Sequence, residues 1–316
     1  MAHDIPDQYT GPFDMHLTRR AALRGLGAAG LAAVFVARGT PFVGAQADTY
    51  PKLAITAKDY EFQLPATVPG GYTEITLKNE GPDTHHAMFM RLNEGKTLDD
   101  FMAAAKLPNF GALFAVSTSQ GGPASIDAGQ ESSVILNLQT GQYVVICVIP
   151  GPDGMPHYQM GMLAPITVTE VLTAGTEPTA ETTVDLVDFS FENLPKELPA
   201  GKHTWKVTDT GKQVHELSIN RLAPGVTFDQ VKAMLMAPLP ASPVPGAVAT
   251  PQATPVMSGP PPFVAMAGVA PMSPGETNWA LIDVTAGDYF AICFVPDTKT
   301  GAPHFMLGMI MPFTVK

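Results

Sequence analysis

Cysteine occurs only twice in 316 residues. That is too few for a disulfide scaffold, and too few for a zinc site built from several thiolates. Charge is also sparse, with 15% charged residues, 18 Lys+Arg against 29 Asp+Glu, and a net charge of −11. This balance lacks the clustered basic residues that nucleic acid demands, so nucleic acid is not an expected partner. No apolar run reaches the roughly 20 residues of a membrane span: the longest uncharged stretch near the N-terminus, Gly25 to Ala37, has 13. Phosphate loops, nucleophile elbows and paired-His zinc helices are absent as well. What the chain does have is 45% apolar residues, a globular proportion.

Residues 1–47 read as an export signal. Arg19-Arg20 precede the Gly/Ala/Leu/Val run, and Ala45-Gln46-Ala47 is a small-x-small cleavage pattern. The paired arginines are similar to a twin-arginine signal. The expectation is a mature chain starting near Asp48, with net charge −12, in a periplasmic or extracellular location and without a transmembrane span.

The mature chain is a tandem repeat. Gly81 through His85 to Arg91-Leu92 matches Gly211 through His215 to Arg221-Leu222 at offset 130. Gly141-Gln-Tyr-Val-Val-Ile-Cys147 matches Gly287-Asp-Tyr-Phe-Ala-Ile-Cys293 at offset 146. His157 then matches His304, and Met162 matches Met309, at offset 147. The expected organisation is a first domain at 48–172, a polar linker at 173–182, and a second domain at 183–316 carrying a Pro-rich insertion at 237–275, read as a loop.

Alternating or β-rich runs predict strands over 53–62, 72–77, 87–92, 133–138 and 142–149, with counterparts over 184–191, 203–207, 216–222, 279–284 and 288–295. Thr97 with Asp99 and Asp100, and Thr227 with Asp229, predict one short helix per repeat. The fold class is therefore all-β: two tandem Greek-key sandwiches, each with one short helix.

Each repeat holds an upstream His, then a Cys at a strand end, a His after a loop, and a Met five residues on: His85, Cys147, His157 and Met162, then His215, Cys293, His304 and Met309. Two imidazoles, one thiolate and one thioether form a soft donor set suited to copper in a trigonal His₂Cys site with a long axial Met. A lone buried Cys or Met is more often packing, and it is the recurrence of all four in order, twice, that points to metal.

In these residues the sequence resembles the cupredoxin family of blue-copper proteins. His157-Tyr-Gln-Met-Gly-Met162 is similar to the end of a pseudoazurin ligand loop. The nine and ten residues between Cys and His resemble the long loop of copper nitrite reductases, not the short plastocyanin one. The resemblance implies Greek-key sandwiches, copper as cofactor, and the eight residues above as ligands. It also implies one-electron transfer with a redox partner protein. Six histidines follow residue 47 and the two sites use four, which leaves too few for a separate three-His catalytic copper, so no catalysis of its own is expected. Where the family usually has Asn after the upstream His, this chain has His86 and Glu216. His86 is the weaker alternative to His85 as ligand, and His203 reads as a surface residue. Met155, Met160, Met306 and Met311 keep open a Cu(I)-handling role alongside a copper-trafficking partner. A metal-free binding module is the remaining alternative.

Overall fold

In strand Gly71–Asn79 every second side chain is buried, so Thr73, Ile75 and Leu77 face the core while Tyr72, Glu74 and Thr76 are half-buried. Ile75 and Leu77 recur at offset 130 as Trp205 and Val207, all but fully buried, in strand Gly201–Asp209. The computed structural model describes residues 50–108, 110–171, 175–237 and 261–316. Residues 1–47, read above as an export signal, and most of the Pro-rich run lie outside them. Among the described residues no helix is long and apolar enough to cross a membrane.

Each repeat distributes its strands over two sheets. In the first, Lys52–Lys58, Glu61–Gln63, Gly71–Asn79 and Glu131–Leu138 make one layer. Thr67–Pro69, Leu163–Thr169, Gly141–Ile146, Met88–Leu92 and Ser117–Ser119 make the other. The second repeat sets Thr182–Val187, Ser190–Glu192, Gly201–Asp209 and Thr277–Val284 against Glu197–Leu198, Ile310–Val315, Gly287–Ile292, His215–Leu222 and Phe263–Met272. The chain is all-β in character, with one short α-helix per repeat among the described residues. Leu98–Ala105 and Phe228–Leu235 each start from a capping box, Thr97 with Asp100 and Thr227 with Gln230.

The two repeats do not stand side by side as separate sandwiches. Strand Glu131–Leu138 pairs antiparallel with Thr277–Val284, joining two four-stranded layers into one eight-stranded sheet. Ala280, the counterpart of Val134 at offset 146, lies opposite Val134 itself, so a pseudo-two-fold axis passes between them. The joint is sealed by Asn278, whose Nδ2 donates to Gln120 O and whose Oδ1 accepts from Gly122 N. Trp279, 4% exposed, packs edge-on against Tyr72 of the other repeat at 5.4 Å. Closing the joint removes an edge that each layer would otherwise leave open. Trp279→Ala is expected to destabilise the protein by about 3 kcal/mol. The metal-free chain should unfold in one transition that tryptophan fluorescence and far-UV circular dichroism report together, because the core is continuous across both repeats.

One sequence expectation is corrected here. Residues 263–272 fall inside the span read as a Pro-rich loop, yet Phe263–Met272 is a ten-residue strand pairing with His215–Leu222. Ala265, Ala267, Val269, Ala270 and Met272 are buried, so the absence of charge reflects burial rather than a loop. Because the repeat offset rises from 130 to 146, the net insertion is 16 residues, and it falls before Phe263. Strands Leu163–Thr169 and Ile310–Val315 were not expected from the sequence.

Candidate metal centres

The Cys strands end where the metal loops begin. Cys147 follows strand Gly141–Ile146, and Cys293 follows Gly287–Ile292. His157 and His304 each open a single 3₁₀ turn, His157–Met160 and His304–Leu307. Gly161 and Gly308, at φ 115° and 126°, then turn the chain back. The long loops are pinched at their necks. Pro150 bridges Pro156, Pro296 bridges Pro303, and the extra residues form a turn beyond the bridge. Three backbone bonds fix each loop: Cys147 N to Met162 O, Tyr158 N to Cys147 O and His157 N to Ile149 O in the first repeat. Cys293 N to Met309 O, Phe305 N to Cys293 O and His304 N to Val295 O repeat them. Loop length therefore does not separate Cys from His in either repeat.

His85, Cys147 and His157 offer one donor atom each, all within 4.8 Å of one another, and His215, Cys293 and His304 do the same. His85 Nδ1 lies 3.2 Å from His157 Nδ1, which lies 3.6 Å from Cys147 Sγ. In the second repeat Cys293 Sγ is 3.5 Å from His304 Nδ1. Donors 3.2 and 3.6 Å apart leave room for an ion about 2 Å from each, the range of metal–nitrogen and metal–sulfur bonds. His215 Nδ1 is buried with no hydrogen-bond partner, as are His86 Nδ1 and the Nε2 atoms of His157 and His304. All six side chains are at most 1% exposed, and the thiols of Cys147 and Cys293 are free of any disulfide. Met162 and Met309 are fully buried, their backbones bonded to the Cys residues. The donor set and its spacing fit copper.

Burial sets the protonation. It pushes His157 and His304 down to about 4 each, helped by the neighbouring imidazole, so both rings are neutral at pH 7. Burial also lowers His85 and His215, against the opposing pull of Asp59 and Asp188. The Cys147 thiol is pushed up to about 12, and that of Cys293 rises well above its ordinary value. A buried thiolate thus needs a cation beside it to form.

His86 and Glu216 turn out to be latches. His86 Nε2 accepts from Val148 N at 2.9 Å, and Glu216 Oε1 accepts from Phe294 N at 2.7 Å. In both repeats the residue after the upstream His ties down the residue after the Cys. His86 Nε2 is thereby committed to the backbone, His86 is not among the grouped donors, and burial holds its pKa near 3. Glu216 is raised by burial to about 7, as is Asp209, which stands where the first repeat has Asn79. The second site therefore carries two buried carboxyl groups at positions where the first has none.

His203 pairs with Glu181 and Pro199 O and joins neither cluster. Met155 and Met306 are 43% and 44% exposed, while Met311 packs on the core. The sequence reading missed Asp59 and Asp188, whose carboxylates meet the upstream imidazoles, and Tyr60 and Phe189, whose rings lie 4.6 and 4.8 Å from those of His157 and His304. A signal existed: an Asp-aromatic pair repeats at offset 129, one short of the register used to align the copies.

No protein-family model matches the sequence, and no curated protein does. Solved structures give distant likenesses. Dithionite-reduced auracyanin from Roseiflexus castenholzii is 20% identical over 37% of this chain and 96% of its own, with a TM-score of 0.27. Auracyanin A, a "blue" copper protein from Chloroflexus aurantiacus, is 17% identical over 38% of this chain and all of its own, at 0.28. Copper nitrite reductase from Nitrosomonas europaea is 14% identical over 85% of this chain and 94% of its own, at 0.23. Such scores are too low to carry an assignment. Within the chain itself, two His–Cys–His groups, held in the same way in two paired β-sandwiches, fit a pair of tandem cupredoxin domains.

Proposed function

We propose that this chain is an exported one-electron carrier with a mononuclear copper site in each repeat. The observation that supports it most is the pair of buried His–Cys–His groups with donors within 4.8 Å. His85, Cys147 and His157, then His215, Cys293 and His304, would hold the metal, with Met162 and Met309 as the thioether donors of each set. Copper supplies a reversible one-electron couple. The chain supplies a site that changes little between oxidation states, because the loop bonds, the latches and full burial hold the donors in place without metal. Water has no place among fully buried donors, which suits transfer and not substrate chemistry.

Histidine supply supports a carrier over an enzyme. Among the described residues only His86 and His203 lie outside the two groups, and each is already bonded, to Val148 N and to Glu181. No second, histidine-built catalytic copper can be assembled from them. Export rests on the twin-arginine-like N-terminus, and the redox partner is a protein not identified by this chain.

Loading the purified protein with Cu(II) tests the reading. A strong visible thiolate-to-copper(II) band that bleaches with mild reductant and returns with oxidant is the expected result. A protein that takes up copper but stays colourless in mild oxidant would instead be a Cu(I)-handling protein.

A further inference from the structure

Each upstream imidazole is backed by a carboxylate. Asp59 Oδ1 lies 2.6 Å from His85 Nε2, and Asp188 Oδ1 lies 2.9 Å from His215 Nε2. Both Asp residues sit in the turn between the first two strands of their repeat, after Lys52–Lys58 and after Thr182–Val187. The imidazoles are wholly buried, whereas the Asp side chains are 22% and 25% exposed.

The space for this pair is made by a glycine. A Cβ on Gly81 would stand 2.3 Å from Asp59 Oδ1 and 3.1 Å from His85 Nε2. On Gly211 it would stand 2.6 Å from Asp188 Oδ1 and 2.7 Å from His215 Nε2. Neither glycine has a positive φ, so it is the missing side chain, not backbone freedom, that these positions require. The Gly-x-x-x-His spacing shared by the repeats thereby acquires a reason: it clears room for an Asp–His contact. The same three residues, in the same relation, recur in both halves of the molecule.

We propose that Asp59 and Asp188 are positioning residues for the metal ligands: each accepts the Nε2–H of its imidazole and so commits Nδ1, as the lone pair, to the metal. In the first repeat that Nδ1 is the atom 3.2 Å from His157 Nδ1, inside the donor triangle. In the second it is a buried atom without a partner. A carboxylate on the far nitrogen fixes ring orientation and makes the near nitrogen a stronger donor. It stabilises the more highly charged Cu(II) more than Cu(I), which lowers the reduction potential. The effect on copper rests on the function proposed above; the tautomer does not.

The test has two arms. In the metal-free protein, ¹⁵N NMR should find His85 and His215 protonated on Nε2 and bare on Nδ1 at neutral pH. Protonation on Nδ1 would overturn the proposal, whether or not the chain binds copper. The second arm uses Cys293→Ser protein, so that only the first site reports. There Asp59→Ala should weaken Cu(II) binding by about 10–100-fold. Each tenfold loss of Cu(II) over Cu(I) affinity raises the midpoint potential by about 59 mV. Asp59→Asn keeps an oxygen acceptor without the charge. It should retain the Nε2–H tautomer and fall between wild type and Asp59→Ala in affinity. Changes below about twofold in Cu(II) affinity for both variants would overturn the positioning role, since metal-site partners of this kind are worth at least tenfold. If the chain takes up no copper at all, the function proposed above fails while the NMR arm still decides the tautomer.

Discussion

Cys147→Ser should remove about half of the thiolate-to-copper(II) absorption, Cys293→Ser about half, and the double variant all of it, because one thiolate per site is the source of the band. The sites have matching donor sets in separate repeats, each with its own two imidazoles. A serine hydroxyl fills nearly the same volume, so the fold should persist, but it offers no soft, covalent donor in exchange. Both cysteines are fully buried, so solvent thiol chemistry does not compete in the folded state. The measurement is the visible spectrum of each copper-loaded variant at equal protein concentration. If one single variant loses the whole band and the other loses none, only one repeat holds copper through its thiolate.

The second large effect concerns stability. Gly122 and Gly268 correspond at offset 146, the first just after strand Ser117–Ser119 and the second within Phe263–Met272, and each lies against the residue two beyond the upstream His. A Cβ on Gly122, at φ 135°, would stand 2.0 Å from Ala87 O. On Gly268, at φ 121°, it would stand 1.8 Å from Leu217 O. Both the backbone angle and the backbone contact exclude a side chain, and a carbonyl oxygen in a sheet cannot swing aside as a side-chain tip can. Gly122→Ala and Gly268→Ala are each expected to cost about 4 kcal/mol, among the largest single-residue losses. Gly95 and Gly225 also have positive φ, at 74° and 79°, but no atom lies within 4 Å of a Cβ there. Alanine at those positions should cost only about 1 kcal/mol. Guanidinium unfolding of the metal-free variants checks the difference. Equal losses at all four positions would show that backbone angle alone matters.

The residues that the fold gathers into the two His–Cys–His groups stood out in the sequence because duplication labels them: His85 with His215, Cys147 with Cys293, and His157 with His304 stand out against a background that has drifted. The sandwich class was readable for the same reason, since alternation in Gly71–Asn79 recurs in Gly201–Asp209. Other features left weaker traces. Phe263–Met272 is buried on both faces, so it has no alternation, and a charge-free run adjoining proline reads as loop. The shared sheet is invisible in principle: Glu131–Leu138 has the same pattern whether its partner belongs to its own repeat or to the next. Asp59 and Asp188 escaped because one residue of length difference lies between them and the glycines that follow. His86 and Glu216 differ in chemistry, and only coordinates reveal that both accept from the backbone beside the cysteine.

Copper content decides the central claim most directly. The purified chain is loaded with excess Cu(II), desalted, and analysed for metal and protein together. Two fixed donor triangles per chain predict about two copper ions retained, with Cys147→Ser/Cys293→Ser retaining none. A wild-type chain that leaves the column without copper would contradict the account, and the two sandwiches would then be a metal-free scaffold.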